Sequence, residues 1–420
     1  MARALTPQDC YALMNSLVEE ATGQQASIIA TDTSSFVSAG ETVLQSGVEN
    51  TLNALSLVLG RTFMAVRPYE AKLRIINAIN TGAYTSRIRK ISFYARNAEP
   101  SGDWNTQLYP DNLMMGADNG QGGNTPPTAT QSMWVQNQPI PLELNFAGQS
   151  VWEESTTVYE DQLKVAFRSE GEFADFIGGI LTEKGNDIES RKEAFNRMTL
   201  LNFMAGVIDL NNAGSVRHMV TEFNARFNSG GTPWTAADVL STYIKEFSQF
   251  FVAEFKKASD VLTYRQKNYH WSPTKTIGGV TYDLLRHTPK SKQRAVLYQP
   301  LFTETEALVM PEIFNPQYLS LENYEGVQYW QNIDEPSKIS ITPAIPNTLS
   351  PGQQTAGSPV AEDYVIGMLF DEDAIMVDYQ LEASNTTPLE ARKRYRNIWW
   401  TFSKNAINDF TENAIIFLLD

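Results

Sequence analysis

Histidine and cysteine, the side chains most often used for metal, nucleophilic and neutral-pH acid-base chemistry, are few in this chain and scattered along it. Its three histidines, His218, His270 and His287, fall outside any H-E-x-x-H arrangement that would set two imidazoles around zinc on one helix face. They read as structural or surface residues. Asp371, Asp373 and Glu382 occupy the first, third and twelfth positions of a twelve-residue calcium loop. However, Ile375 stands where a ligand is needed and Met376 where the sharp bend needs glycine. That acidic stretch is read as a hairpin turn. Gly116, Gly120, Gly122 and Gly123 lack dinucleotide-fingerprint spacing and a following Lys with Ser or Thr, and no helix follows to hold a phosphate. Cys10, the single cysteine, has no local histidine and permits neither an intrachain disulfide nor a cysteine-zinc cluster. There is no G-x-S-x-G elbow, and adjacent carboxylates such as Glu153 and Glu154 are too common to be diagnostic. No catalytic, cofactor-binding or metal residue is assigned and no cofactor is implied. Because catalytic groups can converge from distant segments, the positive evidence must come from the elements.

Tyr11, Leu13, Met14, Leu17 and Val18 give residues 8–20 a partly helical apolar spacing. The Ser-, Thr- and Gly-containing tract from Thr22 to Thr51 has few large apolar clusters and is expected to be an extended arm, docked by the apolar run 52–66. From Tyr84 to Arg96, Ile88, Ile91 and Phe93 alternate with Arg87, Arg89, Lys90 and Arg96, the pattern of a strand with a basic face. The Gly-, Asn- and Pro-rich stretch 98–130 cannot build a core of its own and reads as a flexible tip. A second alternating run follows from Met133 to Phe146, with Pro139 and Pro141 marking an edge. Together they predict a long two-stranded projection.

Ser169 and Glu172 have capping-box spacing. After them Phe173, Phe176, Ile177, Ile180 and Leu181 form one apolar face, resumed by Ile188, Phe195, Met198, Leu201, Met204, Val207 and Ile208. A helix of about ten turns is expected, with Gly178, Gly179 and Gly185 allowing a bend or close packing. Gly230, Gly231 and Pro233 mark a break, and Thr235 caps a second helix carrying Val239, Tyr243, Phe247, Phe251 and Phe255. A mixed region follows: strand, short helix and strand over 295–319, a strand at 337–343, and a Pro-rich loop from Pro343 to Pro359. Runs at 364–370, 374–381, 395–402 and 414–419 predict a closing antiparallel sheet. The fold class is α+β.

At 420 residues the chain has room for two or three packed units. Its 48 acidic against 33 basic residues, net charge -15, oppose tight binding to a phosphate backbone, which needs clustered cations. No stretch approaches the roughly 18 apolar residues of a membrane span, and the N-terminus has no export-type apolar core. Neither a membrane partner nor export is expected, and the Asn385-Thr386-Thr387 sequon is a chance match.

Two segments carry a family resemblance. TTVYEDQLKVAFRSEGEFADFIGGILTEKGNDIESRKEAFNRMTLLNFM, within residues 155–210, and VIGMLFDEDAIMVDYQLE with RYRNIWWTFSKNAINDFTENAIIF near the end resemble major capsid proteins of tailed bacteriophages with the Hong Kong 97-type fold. Among these they look most like the proteins of small short-tailed Bacillus-type podoviruses. The resemblance implies an N-terminal helix and arm (1–60), an extended β-hairpin loop (61–150), a peripheral domain with a spine helix (151–235), a mixed axial domain (236–361) and closing strands (362–420). It also implies self-assembly into hexamers and pentamers of an icosahedral head, built in the host bacterial cytoplasm. The expected partners are a separate scaffolding protein, a portal protein at one vertex, and double-stranded DNA enclosed with weak, non-specific contact. No long charged N-terminal segment is present, so a fused scaffold is not expected, and no autocatalytic cross-link position matches. Arg87, Arg89, Lys90 and Arg96, with Asp103, Trp104 and Trp134, are the candidate contacts to neighbouring subunits, the four basic residues pairing with acidic partner surfaces to set register. An encapsulin-like nanocompartment shell shares the fold. A glycan-binding protein or hydrolase would draw on the eight Trp and seventeen Tyr, but would want an export signal and converging carboxylates.

Overall fold

The computed structural model describes residues 7–23, 29–46, 50–51, 54–55, 73, 75–79, 87–95, 139–147, 150–277, 280–303, 324–346 and 354–420. Its organising element is the helix Glu170–Leu210. The Ser169 hydroxyl accepts the Glu172 amide at 3.2 Å, satisfying a donor that the first turn leaves unpaired. At the other end Asn211 takes a left-handed conformation with φ 40° and closes the helix. The helix runs unbroken through Gly178, Gly179 and Gly185.

That rod is shared by two cores. Phe173, Ile177 and Ile188 belong to a cluster with the N-terminal helices and the inner face of a sheet. Leu200, Phe203, Met204 and Val207 belong to a larger one with the helix Ile244–Val261 and a second sheet. Each large apolar side chain buried this way contributes about 1.5–3 kcal/mol. A helix with both halves packed is therefore fixed along its length.

The first sheet has four strands in the order Asn77–Ile79, Ile375–Thr386, Tyr395–Asn408, Ser150–Tyr159. The second has five, Val216–His218, Ala414–Leu418, Val365–Asp371, Gln293–Tyr298, Tyr324–Val327. Every residue of Val365–Asp371 is buried, as suits a central strand covered on both faces. Within it, Gly367 lies opposite Leu297, and an added Cβ would meet the Val296 carbonyl oxygen at 2.6 Å. A separate two-stranded hairpin pairs Arg87–Phe93 with Pro141–Ala147.

Several expectations change. The tract read as an extended arm contains the helix Thr33–Gln45, capped reciprocally by Asp32 and Ser35. Its buried face, Phe36, Ala39, Gly40 and Val43, is built mostly from small residues, so the helical spacing is hard to see. The acidic turn at 371–373 is not a hairpin. The strand before it pairs with Gln293–Tyr298 and Ala414–Leu418, the strand after it with Tyr395–Asn408, so the chain crosses there between sheets. The expected single closing sheet is accordingly divided between the two. The helix capped by Thr235 stops at Ser241 and a new one begins at Ile244. The Pro-rich loop includes a short antiparallel pair, Ala344–Pro346 with Gln354–Ala356. The expected tip 98–130 and the first part of the second alternating run, 133–138, lie outside the described residues.

Gly206 of the long helix faces Phe410, whose ring stacks on Phe203 with centroids 5.0 Å apart. A Cβ at Gly206 would come within 2.3 Å of the Phe410 ring. Alanine is the better helix former by about 1 kcal/mol, yet Gly206→Ala is expected to destabilise the subunit by about 1–3 kcal/mol through overpacking. Denaturant unfolding of the two chains checks the sign.

Candidate functional site

The hairpin is the described part of the expected projection, and the way it is held defines the site. Alternation gives it two faces. Lys90, Ser92, Leu142 and Leu144 turn toward the body, while Arg89, Ile91, Phe93 and Glu143 stay exposed. Leu142, Leu144 and Tyr94 pack with Leu284 into a small core of their own, and the Ala95 amide donates to the Asp283 carbonyl at 3.0 Å.

The seat beneath is the turn Asp409–Asn413, which joins the last strand of one sheet to the last strand of the other. Asp409 folds the turn on itself, its Oδ1 accepting the Thr411 amide at 2.9 Å and the Thr411 hydroxyl at 2.6 Å. Its Oδ2 and the Glu412 Oε1 both receive the Lys90 ammonium. Arg286 joins from the side. Its Nε donates to the Thr411 carbonyl at 3.1 Å and its Nη2 to the Ser92 hydroxyl at 2.7 Å, with Glu412 Oε1 3.5 Å from Nε. Two partly buried cations thus meet two buried carboxylates, the condition under which buried charge is tolerated. Burial works against the Lys90 charge, but Asp409 and Glu412 outweigh it and hold the ammonium above its ordinary value. Burial pushes the Glu412 carboxyl up against the pull of Lys90 and Arg286.

The far end of the turn is neutral and equally buried. Asn413 donates to the Thr288 hydroxyl at 3.1 Å, and Thr288 donates to Asp371 at 2.7 Å. His270 sits between the Asn413 side chain, the Asn268 carbonyl and the Leu284 carbonyl at 2.9 to 3.1 Å, and burial lowers its pKa. One predicted histidine is therefore a core residue. His218 is half exposed beside Asp420, and His287 is exposed. Asp371, first of the supposed calcium ligands, is buried against Thr288 with its pKa raised by burial. Among the described residues no group of three or more His, Cys, Asp or Glu is placed to hold a metal, and no helix is long and apolar enough to cross a membrane.

Of the candidate contacts, Arg87, Arg89 and Lys90 lie on one hairpin strand. Lys90 is engaged within its own chain, and Arg89 makes an exposed pair with Glu143 at 2.7 Å. Arg96, Asp103, Trp104 and Trp134 lie outside the described residues. Asp409, Glu412, Arg286 and Asn413 were not anticipated. The one local sign of them is the polar run NDFTEN between two apolar strands, and its burial cannot be read from composition.

A sequence model of the family described as Phi29-like phage major capsid protein matches residues 129–418, well over half of the chain and including the whole seat. The chain belongs to that family. No curated protein matches it. Among solved structures it is similar to the capsid of Staphylococcus phage Andhra, at 9% identity over 84% of this chain and 88% of that one, TM-score 0.49. It is also similar to the capsid of cyanophage P-SCSP1u, at 9% identity, 84% and 88% coverage and TM-score 0.42. A third similarity is to Mycobacterium phage Adephagia, at 8% identity, 86% and 93% coverage and TM-score 0.38. The family assignment rests on the sequence match.

In this major capsid protein a second buried cation has no such seat among the described residues. The Lys404 ammonium lies 4.3 Å from the Phe195 ring centroid and 5.1 Å from that of Trp152, and donates to the Arg191 carbonyl at 3.4 Å. Burial, then the charges of Lys192 and Arg191, lower its pKa to about 8.

The two lysines make opposite predictions. Lys90→Met leaves Asp409 unpaired and is expected to cost about 3 kcal/mol, the lower end for breaking a buried pair, because Arg286 still faces Glu412. Arg89→Met should change stability by under about 1 kcal/mol. Hydrogen exchange at 87–93 and 141–147 reads the difference. Lys404→Met removes a penalised charge and is expected to stabilise the subunit at pH 7. The folded pKa lies below the ordinary 10.5, so the penalty is complete below pH 8 and relieved between 8 and 10.5 as the folded form loses its proton first. The gap in unfolding midpoint between variant and parent should therefore close across that window; a constant gap refutes the assignment.

Proposed function

We propose that this capsid protein forms an icosahedral phage head as hexamers and pentamers around double-stranded DNA. The hairpin serves as its projection onto a neighbouring subunit. The family match over 129–418 carries the reading. The hairpin supports it: one face is fixed to the body by the Lys90 seat, and the other exposes Ile91 and Phe93 at 51% and 57%. A monomer gains nothing from displaying two large apolar side chains on a firmly docked strand. A neighbouring copy would cover them.

In this reading the subunit has a Hong Kong 97-type arrangement. The helix Glu170–Leu210 is the spine of a peripheral domain over 151–235, residues 236–361 form the axial domain, and Arg87, Arg89 and Arg96 with Asp103, Trp104 and Trp134 meet neighbours. The net charge of -15 suits a shell that encloses DNA without gripping it. Assembly takes place in the host cytoplasm with a separate scaffolding protein and a portal at one vertex, and the protein's role is structural and not enzymatic.

Electron microscopy of the overexpressed chain with its scaffolding protein is expected to show closed shells with hexameric and pentameric units. A monomer at all concentrations refutes the reading.

A further inference from the structure

The Lys90 ammonium touches Asp409 Oδ2 on one side and Glu412 Oε1 on the other. An amine, a carboxyl group and a second carboxylate able to carry protons thus meet at one atom, the set that condensation of two side chains requires. The two oxygens of Asp409 are held differently. Oδ1 accepts the Thr411 amide at 2.9 Å and the Thr411 hydroxyl at 2.6 Å, whereas Oδ2 faces the lysine. Two donors on Oδ1 polarise the carboxyl and are in place for the negative charge that builds there as the carbon becomes tetrahedral. Oδ2 is then the oxygen free to leave. The surroundings are dry: Asp409 and Thr411 are each 1% exposed and Glu412 8%, and Leu144 lies directly opposite Lys90 on the paired strand. Fixing the pair there removes the entropy of encounter and the hydration of both ions, which oppose the same reaction in water.

We propose that Lys90 and Asp409 of the same chain join in an isopeptide bond, with Glu412 as the proton carrier. Nζ rests as the ammonium, so it first gives a proton to Glu412, whose carboxyl burial pushes up. That proton passes to Asp409 Oδ2. The neutral amine then attacks Asp409 Cγ, and Oδ1 takes the charge under the two Thr411 donors. Glu412 removes a second proton from Nζ and delivers it to Oδ2, the Cγ–Oδ2 bond breaks, and Oδ2 departs as water. Nζ keeps one hydrogen as the amide, and Glu412 ends as it began. No oxidant or cofactor is consumed. Oδ1 remains in place as the amide carbonyl, still bonded to Thr411. The bond joins residues 319 positions apart, so it restricts the unfolded chain strongly and keeps the root of the hairpin from lifting off the body. It forms within one subunit and stands on the seat alone, independently of how subunits assemble.

Intact-mass spectrometry of the denatured full-length protein is expected to read one water below the sequence mass. Trypsin should then release residues 90–96 and 405–420 as one branched species, its fragments placing the junction at Lys90 and Asp409. Lys90→Arg keeps a cation for the two carboxylates but cannot form this bond, and is expected to retain the full sequence mass. Glu412→Gln is expected to be purified mostly unlinked, because general acid–base help is worth about 10²–10⁴-fold in rate. A parent chain at its full sequence mass, unchanged when the folded protein is kept, overturns the proposal. So does water loss without the branched peptide, or water loss that persists in Lys90→Arg. Glu412→Gln linked as fully as the parent overturns the role given to Glu412.

Discussion

Five residues, Asp409 to Asn413, sit where two sheets, the long helix and the hairpin meet, and their polar groups are out of water. Carboxylates cannot be left unpaired there without a cost of several kcal/mol. The turn therefore requires Lys90 from the hairpin and Arg286 from the segment below it, and it ties distant stretches together through charge. The apolar contacts of Leu142, Leu144 and Leu284 add affinity to that docking, while the ion pairs fix its position, because a shifted hairpin would strand a buried charge.

The same junction coordinates the two cores. Phe410 projects from the turn onto Phe203 and over Gly206 of the long helix, so the helix is set against the turn that seats the hairpin. A helix packed in one core at its start and in another at its end transmits position along its length. A shell subunit needs this property, since contacts on one side of the body must keep a fixed relation to those on the other.

Local chemistry and long-range placement differ in how plainly they show in the chain. The long helix is legible because its evidence is local: the Ser169 cap, apolar residues at helical spacing, and no proline across the span. The strands at 87–93, 365–371 and 414–418, and the first part of the strand Tyr395–Asn408 up to residue 402, are legible by alternation or by apolar runs, and the family itself by motifs within 155–210 and 365–417. The helix Thr33–Gln45 escaped notice because its buried face is made of small residues that blur the pattern.

Tertiary structure alone decided which strands pair and which polar groups are buried. Residues 371–373 look like a hairpin turn because short acidic connections usually are, yet the strands on either side join different sheets. Pairing depends on what each strand's face must cover, and that is set by segments tens to hundreds of residues away. For the same reason Lys90 looked like a surface contact beside Arg89: alternation puts the two on opposite faces, but only the body beneath shows that one face meets Asp409 and Glu412. Local spacing fixes periodicity and charge, whereas a buried ion pair exists only where the whole chain has excluded water.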